Sequence, residues 1–349
     1  MVVLLIHGGA GGDGPWAGQT ALDPQRLECM RLVLNEVGSA LAAGQINALD
    51  AVTDAVSMLE DEPLFNAGRG SVLAADGTVT MDASIMRGED GAAGSVVNVR
   101  RVRHPIRAAR AVLEGGWPVM LNSDAADEFA LRHGLEGVDQ EWLRTDLRHA
   151  QWEKWRASRG RPGSTDEDDT AQLDHDYNDE IPASANAKST PISQVELSDL
   201  VRIEFSDQGD DCGMGTVGAV ALDSDGNLAA GTSTGGMTGK PAGRIGDTPI
   251  IGAGTWCDSH LAVSCTGIGE AFIRTVAAHR LAALVEMSGR NFVDCTTQVL
   301  DEVRPLGGRG GLIAVLRNGE WLLPFQTTLM YRGVWEAGGV KLGIGSEWI

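Results

Sequence analysis

Apolar and polar residues follow two different periods along this chain, which predicts a mixture of strands and helices. Residues 2–6 form a continuous apolar run that ends at glycines, as is typical of a buried strand. Between residues 27 and 41 the apolar positions step by three and four and stop before Gly44, which predicts an amphipathic helix. The same spacing over residues 49–59 predicts a second helix.

Signals for helix ends predict further helices. Pro105 suits the first turn of a helix, and the glycine pair 115–116 marks its end. Ser123 is expected to cap the N-terminus of a helix over residues 124–133. In the second half of the chain, two helical patterns have apolar positions at 273, 276 and 281 and at 292, 299 and 303.

A hairpin is predicted over residues 216–234. A strand rich in Val and Ala leads into a turn sequence at residues 223–226, and a second strand returns. If the turn has four residues, paired positions sum to 449 and Thr216 lies beside position 233. With a slip of one residue, Thr234 or Thr232 lies beside Thr216, because adjacent strands are about 4.8 Å apart. The hairpin therefore brings a second hydroxyl close to Thr216.

A strongly acidic stretch separates the two halves of the chain. Residues 163–215 contain fourteen Asp and Glu residues against Lys188 and Arg202, so they supply −12 of the formal net charge of −20. They are poor in aromatic residues and offer little apolar surface to offset the entropy cost of ordering. We expect a solvated, disordered linker here, preceded by a folded part over residues 1–162.

Composition restricts the class of protein. The chain has 349 residues, 43% of them apolar, which is enough for a substantial core. Its net charge of −20 argues against a nucleic-acid partner, because phosphate binding needs a basic surface. The five cysteines lack CxxC spacing, which fits a reducing compartment without a zinc site. The first residues lack the features of a signal peptide and no apolar run reaches the ~18 residues of a membrane span, so we expect a cytoplasmic protein with no membrane partner.

The junction between Gly215 and Thr216 is the first candidate for chemistry. A polar segment ends in Gly, and a Thr opens a buried strand at once. Thr is also an ordinary strand residue, so the junction gains meaning only from its neighbours. One of these is the glycine pair 235–236, which follows the returning strand and leaves open backbone where a ligand can approach.

Two later segments supply charged and hydroxyl groups. Arg244 and Asp247 lie in a loop rich in Gly and Pro, and such a pair could hold the carboxylate and the ammonium of an α-amino acid. An ordinary surface salt bridge is the alternative. Thr266 and Gly267 end an apolar strand before a helix, where a hydroxyl and free N–H groups could form an oxyanion hole. A nucleotide loop is the rival interpretation, but Phe272 occupies the last position of the GxGxxG pattern.

Five segments resemble, in order, those of the plant-type L-asparaginase and isoaspartyl peptidase family, whose members are N-terminal nucleophile hydrolases of the threonine type. In the second half they are GTVGAVALDSDGNLAAGTSTGGMTGK from Gly215, PAGRIGDTPIIGAG from Pro241 and AVSCTGIGEAFIR from Ala262. In the first half they are IHGGAGG from Ile6 and LEDEPLFNAGRGSVL from Leu59. The resemblance covers nearly all of the chain outside the acidic stretch.

The resemblance implies an α/β fold, a four-layer αββα sandwich of the N-terminal nucleophile hydrolase type. It implies self-cleavage between Gly215 and Thr216 into an alpha chain (residues 1–215) and a beta chain (residues 216–349), which remain one structural domain. It also implies a dimer of these alpha–beta pairs. Met214 is a departure, because relatives often have a basic residue or His before the cleaved Gly.

The resemblance also assigns the site residues. Thr216 is the implied nucleophile, Thr234 assists it, and Asn66 lies near the site. The remaining residues are expected to hold the substrate, with Arg244 on its α-carboxylate, Asp247 on its α-ammonium, and Thr266 and Gly267 on its oxyanion. A structural sodium ion is expected in the loop over residues 59–69. Its implied ligands are the main-chain carbonyls of Leu59, Glu60, Glu62, Phe65, Ala67 and Arg69.

The implied reaction needs no organic cofactor. The Thr216 hydroxyl attacks the Gly215 carbonyl, water hydrolyses the resulting ester, and the freed α-amine, with a pKa of roughly 8, can act as the base. Mature Thr216 would then attack the side-chain amide of L-asparagine or the β-linked peptide bond of an isoaspartyl dipeptide. Two alternatives remain open at this point: a glycosylasparaginase with the same motifs, and a catalytically inactive family member that acts as a binding scaffold.

Overall fold

The computed structural model of the protein describes residues 1–11, 24–159, 215–337, 339–345 and 348. The predicted acidic linker, apart from Gly215, lies outside these described residues. The described residues form two sheets. Their strands are β1 Val3–Gly11, β2 Met81–Arg87, β3 Ala93–Val99, β4 Met120–Asn122, β5 Val217–Leu222, β6 Leu228–Thr234, β7 Thr255–Cys257, β8 Leu261–Gly267, β9 Gly310–Leu316, β10 Trp321–Leu322, β11 Leu329–Glu336 and β12 Gly339–Gly343.

The larger sheet has the strand order β12-β11-β1-β5-β6-β2-β3-β4, and the smaller has the order β10-β9-β8-β7. Neighbouring strands are antiparallel except for the pair β3 and β4. Strands β5 and β6 of the larger sheet contact β8 of the smaller sheet. The apolar interior between the sheets includes Leu5 and Val220 from the larger sheet and Ile313 and Val315 from the smaller one.

Helices pack on both sheets. They are α1 Pro24–Ala42, α2 Ala48–Asp61, α3 Pro105–Gly115, α4 Ser123–Arg132, α5 Gln140–Leu143, α6 Asp146–Arg159, α7 Gly269–Thr275, α8 Ala277–Met287 and α9 Phe292–Val303. Helices α1, α2 and α3 contact strands of the larger sheet, whereas α8 contacts strands β7 and β8 and also packs against α9. The protein therefore has a mixed α/β fold, with one apolar interior between the sheets and others beneath the helices.

Most of the predicted helices are confirmed, and two details were wrong. Ser123 is not an N-cap: it is the first residue of α4, has a φ of 52°, and follows Asn122 of strand β4. The strand runs directly into the helix there, so the chain must turn at Ser123. The pattern at positions 273, 276 and 281 belongs to two helices, because the chain breaks at Val276 with a φ of 50°. The break lets the first N–H groups of α8 bond to carbonyls of residues 252 and 253.

The hairpin predicted over residues 216–234 is confirmed, but its register differs by one residue from the register expected for a four-residue turn. Leu222 pairs with Leu228, so paired positions sum to 450. Asn227 belongs to the turn, because its N–H donates to the Asp223 side chain over 2.9 Å. The observed register places Thr216, which directly precedes β5, beside the last residue of β6, Thr234.

Candidate active site

Thr216 and Thr234 form the centre of the candidate site. Their hydroxyl oxygens lie 3.0 Å apart and share a hydrogen bond. The Gly236 N–H donates to the Thr234 hydroxyl oxygen over 3.0 Å, so the proton of Thr234 can point toward Thr216. Thr234 is buried, whereas Thr216 is partly exposed. The predicted second hydroxyl is therefore next to the first.

Asn66 joins the junction to the loop that follows β6. Its backbone N–H donates to the Gly215 carbonyl over 3.0 Å, and its side-chain amide donates to the Gly236 carbonyl over 2.6 Å. Its side-chain oxygen accepts from the Val72 N–H over 2.9 Å. A Cβ on Gly235 would collide with that oxygen, so only glycine fits beside it. Asn66 is fully buried and holds the carbonyl next to Thr216 in a fixed position.

Thr266 and Gly267 lie at the end of β8, in the smaller sheet. The Thr266 hydroxyl is buried and accepts from the Ala10 N–H over 3.3 Å, so its own proton can be donated elsewhere. Gly9, the residue before Ala10, has a φ of 106° and packs so closely on Gly215 that a Cβ would collide with it. The N-terminal strand β1 thus connects the Thr266 hydroxyl with the junction.

Arg244 and Asp247 meet at the start of helix α7. The Arg244 guanidinium makes two hydrogen bonds, over 2.8 and 2.7 Å, to the carboxylate of Glu270 in the first turn of α7. The salt-bridge alternative is therefore present in the structure, although the Arg244 side chain is only 14% exposed. Burial raises the pKa of Asp247 to about 7, opposed by a backbone hydrogen bond and by Arg244. One carboxylate oxygen of Asp247 has no hydrogen-bond partner among the described residues, as befits a group placed to receive a ligand.

Asp82 and Lys240 are buried near this site and were not identified from the sequence. Asp82 is the cross-strand partner of Thr234, and one of its carboxylate oxygens lacks a hydrogen-bond partner among the described residues. Burial raises the pKa of Asp82, whereas nearby Lys240 and Arg244 lower it. Burial likewise lowers the pKa of Lys240, whose ammonium donates to the Thr80 carbonyl over 3.0 Å. The strand register reveals Asp82, whereas Lys240, the last residue of the segment that begins at Gly215, is recognised only by its burial beside Asp82.

His7 is a further site residue that sequence reasoning missed. It occurs in IHGGAGG, one of the segments that carry the resemblance. Its Nδ1 lies 3.0 Å from the carbonyl oxygen of Thr216, and its Nε2 lies 2.9 Å from the Ser264 hydroxyl. The imidazole is fully buried, and this burial lowers its pKa to about 3, although the bond to Thr216 opposes the shift. His7 is therefore a neutral group in direct contact with the residue after the junction.

The loop predicted to hold sodium follows helix α2. Three of its six implied carbonyls already accept backbone hydrogen bonds: Leu59 from Glu62, Glu62 from Phe65, and Ala67 from Gly70, at 3.1 to 3.3 Å. These bonds curl the loop into successive tight turns. Each carbonyl oxygen keeps a second lone pair for another partner.

Glycines close the same loop around two of the three remaining carbonyls. A Cβ on Gly68, which has a φ of 52°, would collide with the Glu60 carbonyl, and a Cβ on Gly70 would collide with the Phe65 carbonyl. Neither of those two carbonyls accepts a backbone hydrogen bond among the described residues. Such a concentration of carbonyl oxygens suits a hard cation, so the loop fits the implied sodium ion.

Comparison with known proteins shows the family of the chain. A family described as asparaginase matches residues 1–344, so the chain belongs to the asparaginase family. It is 40% identical to an isoaspartyl peptidase from Escherichia coli (strain K12) over 338 residues, 96% of this chain and 93% of that protein. It is 35% identical to the isoaspartyl peptidase/L-asparaginase of Rattus norvegicus over 98% of this chain and 89% of that protein. The corresponding protein of Danio rerio is 33% identical over 99% of this chain and 95% of its own length. Within the part of the chain that the structure describes, no helix is long and apolar enough to cross a membrane.

Proposed function

We propose that this protein is an isoaspartyl peptidase and L-asparaginase that cleaves itself between Gly215 and Thr216 and then uses Thr216 as its nucleophile. The observation that carries the proposal is the 3.0 Å contact between the hydroxyls of Thr216 and Thr234, directly after Gly215. The printed names of the relatives support the choice of substrates. The acidic stretch that precedes the junction would become the end of the alpha chain.

The self-cleavage step uses groups already in place. The Thr216 hydroxyl attacks the Gly215 carbonyl carbon, the peptide C–N bond breaks, and the acyl group passes to the hydroxyl oxygen while the nitrogen takes the proton. The Asn66 N–H, 3.0 Å from the Gly215 carbonyl oxygen, stabilises the negative charge that develops there. Water then hydrolyses the ester, which leaves a carboxylate on Gly215 and a free amine on Thr216.

Turnover repeats this chemistry on an external amide. The free amine of Thr216, with an ordinary pKa of roughly 8, removes the proton from its own hydroxyl, and the bond from Thr234 supports the alkoxide that forms. Thr266 and Gly267 stabilise the oxyanion of the tetrahedral intermediate. Arg244 binds the α-carboxylate of the substrate and Asp247 binds its α-ammonium. Ammonia or an amino acid leaves first, and aspartate leaves after water hydrolyses the acyl-enzyme.

Several features of the assembly belong to the same proposal. The two sheets and the helices on them would form the four-layer αββα sandwich of N-terminal nucleophile hydrolases. The alpha–beta pairs would form dimers in the cytoplasm. The carbonyls of Leu59, Glu60, Glu62, Phe65, Ala67 and Arg69 would hold a sodium ion, which would supply positive charge to fix the loop that carries Asn66.

Mass spectrometry and substrate comparison test this function. We expect the intact mass of aged protein to show two chains, the second beginning at Thr216, whereas Thr216→Ala should remain one chain for want of an attacking oxygen. Turnover should be found with L-asparagine or isoaspartyl-leucine and should exceed that with N-acetylglucosaminyl-asparagine. A new N-terminus at another residue would refute the nucleophile. A cleaved protein most active on the glycosylated substrate would instead be a glycosylasparaginase, and an uncleaved wild type without turnover would be a scaffold.

A further inference from the structure

A row of buried polar residues crosses the larger sheet next to the candidate site. His7 pairs with Gly218, Gly218 with Thr232, and Thr232 with Ser84, each on a neighbouring strand. The next row on the same face is apolar, and consists of Leu5, Val220, Ala230 and Met86. Interiors between packed sheets are ordinarily filled by apolar side chains, and buried polar groups require partners. The polar row therefore needs an explanation.

Hydroxyls of the smaller sheet connect this row into one hydrogen-bonded chain. Thr255 donates to Thr232 over 2.6 Å, and the hydroxyls of Thr232 and Ser264 lie 2.7 Å apart. Ser264 lies 2.9 Å from Nε2 of His7, and Nδ1 of His7 lies 3.0 Å from the carbonyl oxygen of Thr216. The chain thus begins between the two sheets and ends on the residue proposed as the nucleophile.

The direction of every bond follows from the carbonyl at the end of the chain. A carbonyl oxygen only accepts, so Nδ1 of His7 must carry the proton and donate it to Thr216. In a neutral imidazole Nε2 is then the acceptor, so the Ser264 hydroxyl must donate to it. Because each hydroxyl has one proton, Thr232 must donate to Ser264. Thr255 in turn donates to Thr232, so all donors point toward the site.

We propose that His7 is a positioning residue that holds the Thr216 carbonyl during turnover, and that the hydroxyl chain fixes its imidazole as the Nδ1–H tautomer; the role in turnover rests on the function proposed above. Once cleaved, Thr216 becomes a chain end and loses its connection to Gly215. The pairing of β1 with β5 ends at His7 and Gly218, and β1 bulges directly after His7. The imidazole therefore supplies, from a side chain, the bond that keeps the new terminus in place.

The surroundings of His7 keep it neutral. It is fully buried, and its cross-strand neighbour on β11 is Arg332, so a protonated imidazole would add a second buried cation. Gly218 leaves room for the bond between His7 and Ser264, because a Cβ there would collide with both side chains. These contacts favour a fixed donor at Nδ1 over an acid–base role for His7.

Two substitutions of His7 separate positioning from general structure. Asn places an amide nitrogen near the Nδ1 position, whereas Gln places it near Nε2 and away from the Thr216 carbonyl. We expect His7→Gln to lower kcat by about tenfold or more with little change in KM, because the substrate-binding residues are untouched. His7→Asn should recover a large part of that loss. Equal losses in both variants at similar Tm would overturn the proposal.

A control and a spectroscopic measurement complete the test. Ser264→Ala should lower kcat, as His7→Gln does. Ser95→Ala is the control: it removes a buried hydroxyl that donates to the Pro249 carbonyl and takes no part in the hydrogen-bonded chain, so it should leave kcat unchanged. NMR of wild-type protein labelled with 15N-histidine should show His7 as the Nδ1–H tautomer, unchanged from about pH 5 to 9. An Nε2–H tautomer, or titration near the ordinary pKa of about 6.5, would refute the hydrogen-bond chain. Because this spectrum is recorded without substrate, it tests the hydrogen-bond chain independently of the proposed activity.

Discussion

At the scale of single residues, the raised pKa of Asp247 leads to a pH dependence that can be measured. Burial raises its pKa to about 7, so its carboxyl changes from mostly neutral to mostly ionised across the neutral range. Only the ionised form attracts the α-ammonium of the proposed substrate. We therefore predict that kcat/KM for L-asparagine, divided by kcat/KM for succinamic acid, which lacks the amine, rises about tenfold from about pH 6 to 8. Taking the ratio removes the titration of the Thr216 amine, which both substrates share.

Asp247→Asn is the matched control for this prediction, because an amide has the same shape but does not ionise. The variant should turn over L-asparagine poorly, and the ratio for its two substrates should not change with pH. A wild-type ratio that is flat and no higher than the ratio of Asp247→Asn would show that Asp247 does not meet the ammonium. Any pH dependence of the separate kcat/KM values would then belong to groups that act equally on both substrates, such as the Thr216 amine.

The sequence allowed part of the site to be predicted at this scale. The hairpin pattern alone placed a second hydroxyl beside Thr216, and the structure confirms that contact with Thr234. His7 could not be found in this way, because its partner Ser264 is 257 residues distant and the contact exists only once the two sheets pack. The raised pKa of Asp247 was equally inaccessible, since it depends on burial and not on local sequence.

Helix α6 shows, at the scale of elements, what periodicity missed. It is highly charged, and its inward face mixes polar residues with two tryptophans, so no helix was predicted over residues 146–159. Hydrogen bonds contribute to its attachment. The Arg148 guanidinium is buried and donates to the carbonyls of Gly70 and Leu64, over 2.6 and 3.1 Å. Trp152 donates to the Ala74 carbonyl over 2.9 Å. The helix thus contacts the proposed sodium loop at Leu64 and the residues that follow this loop at Gly70 and Ala74, on both sides of Asn66.

We predict that Arg148→Met destabilises the protein by about 1–3 kcal/mol, because it leaves two carbonyls beneath the helix without their donor. The Tm should fall accordingly. Arg156→Met, an exposed substitution on the same helix, should change stability by no more than about 0.5 kcal/mol. Equal effects of the two substitutions would mean that Arg148 contributes only general helix packing. A Tm difference between them that diminishes as sodium is added would indicate that the cation and Arg148 stabilise the same loop.

At the scale of the whole molecule, the strand order determines how the two chains produced by the proposed self-cleavage would be held together. Strand β1, from the proposed alpha chain, lies between β11 and β5 of the proposed beta chain, and β2 of the proposed alpha chain pairs with β6 of the proposed beta chain. The two chains would therefore alternate within one sheet and share three ladders of hydrogen bonds. The sequence did not indicate this interleaving, because strand pairs from opposite halves have no local signal.

We predict that the two chains remain together after cleavage and separate only when the sheet unfolds. Native mass spectrometry should show every particle with equal numbers of both chains, although a denaturing gel shows two bands. In a urea titration, release of the beta chain should coincide with loss of the far-ultraviolet circular dichroism signal, because both require the same three ladders to break. Uncleaved Thr216→Ala should lose its signal in one transition of similar shape, without releasing a chain. Beta chain released from particles that keep their circular dichroism signal would show that the interleaved sheet is not what joins the two chains.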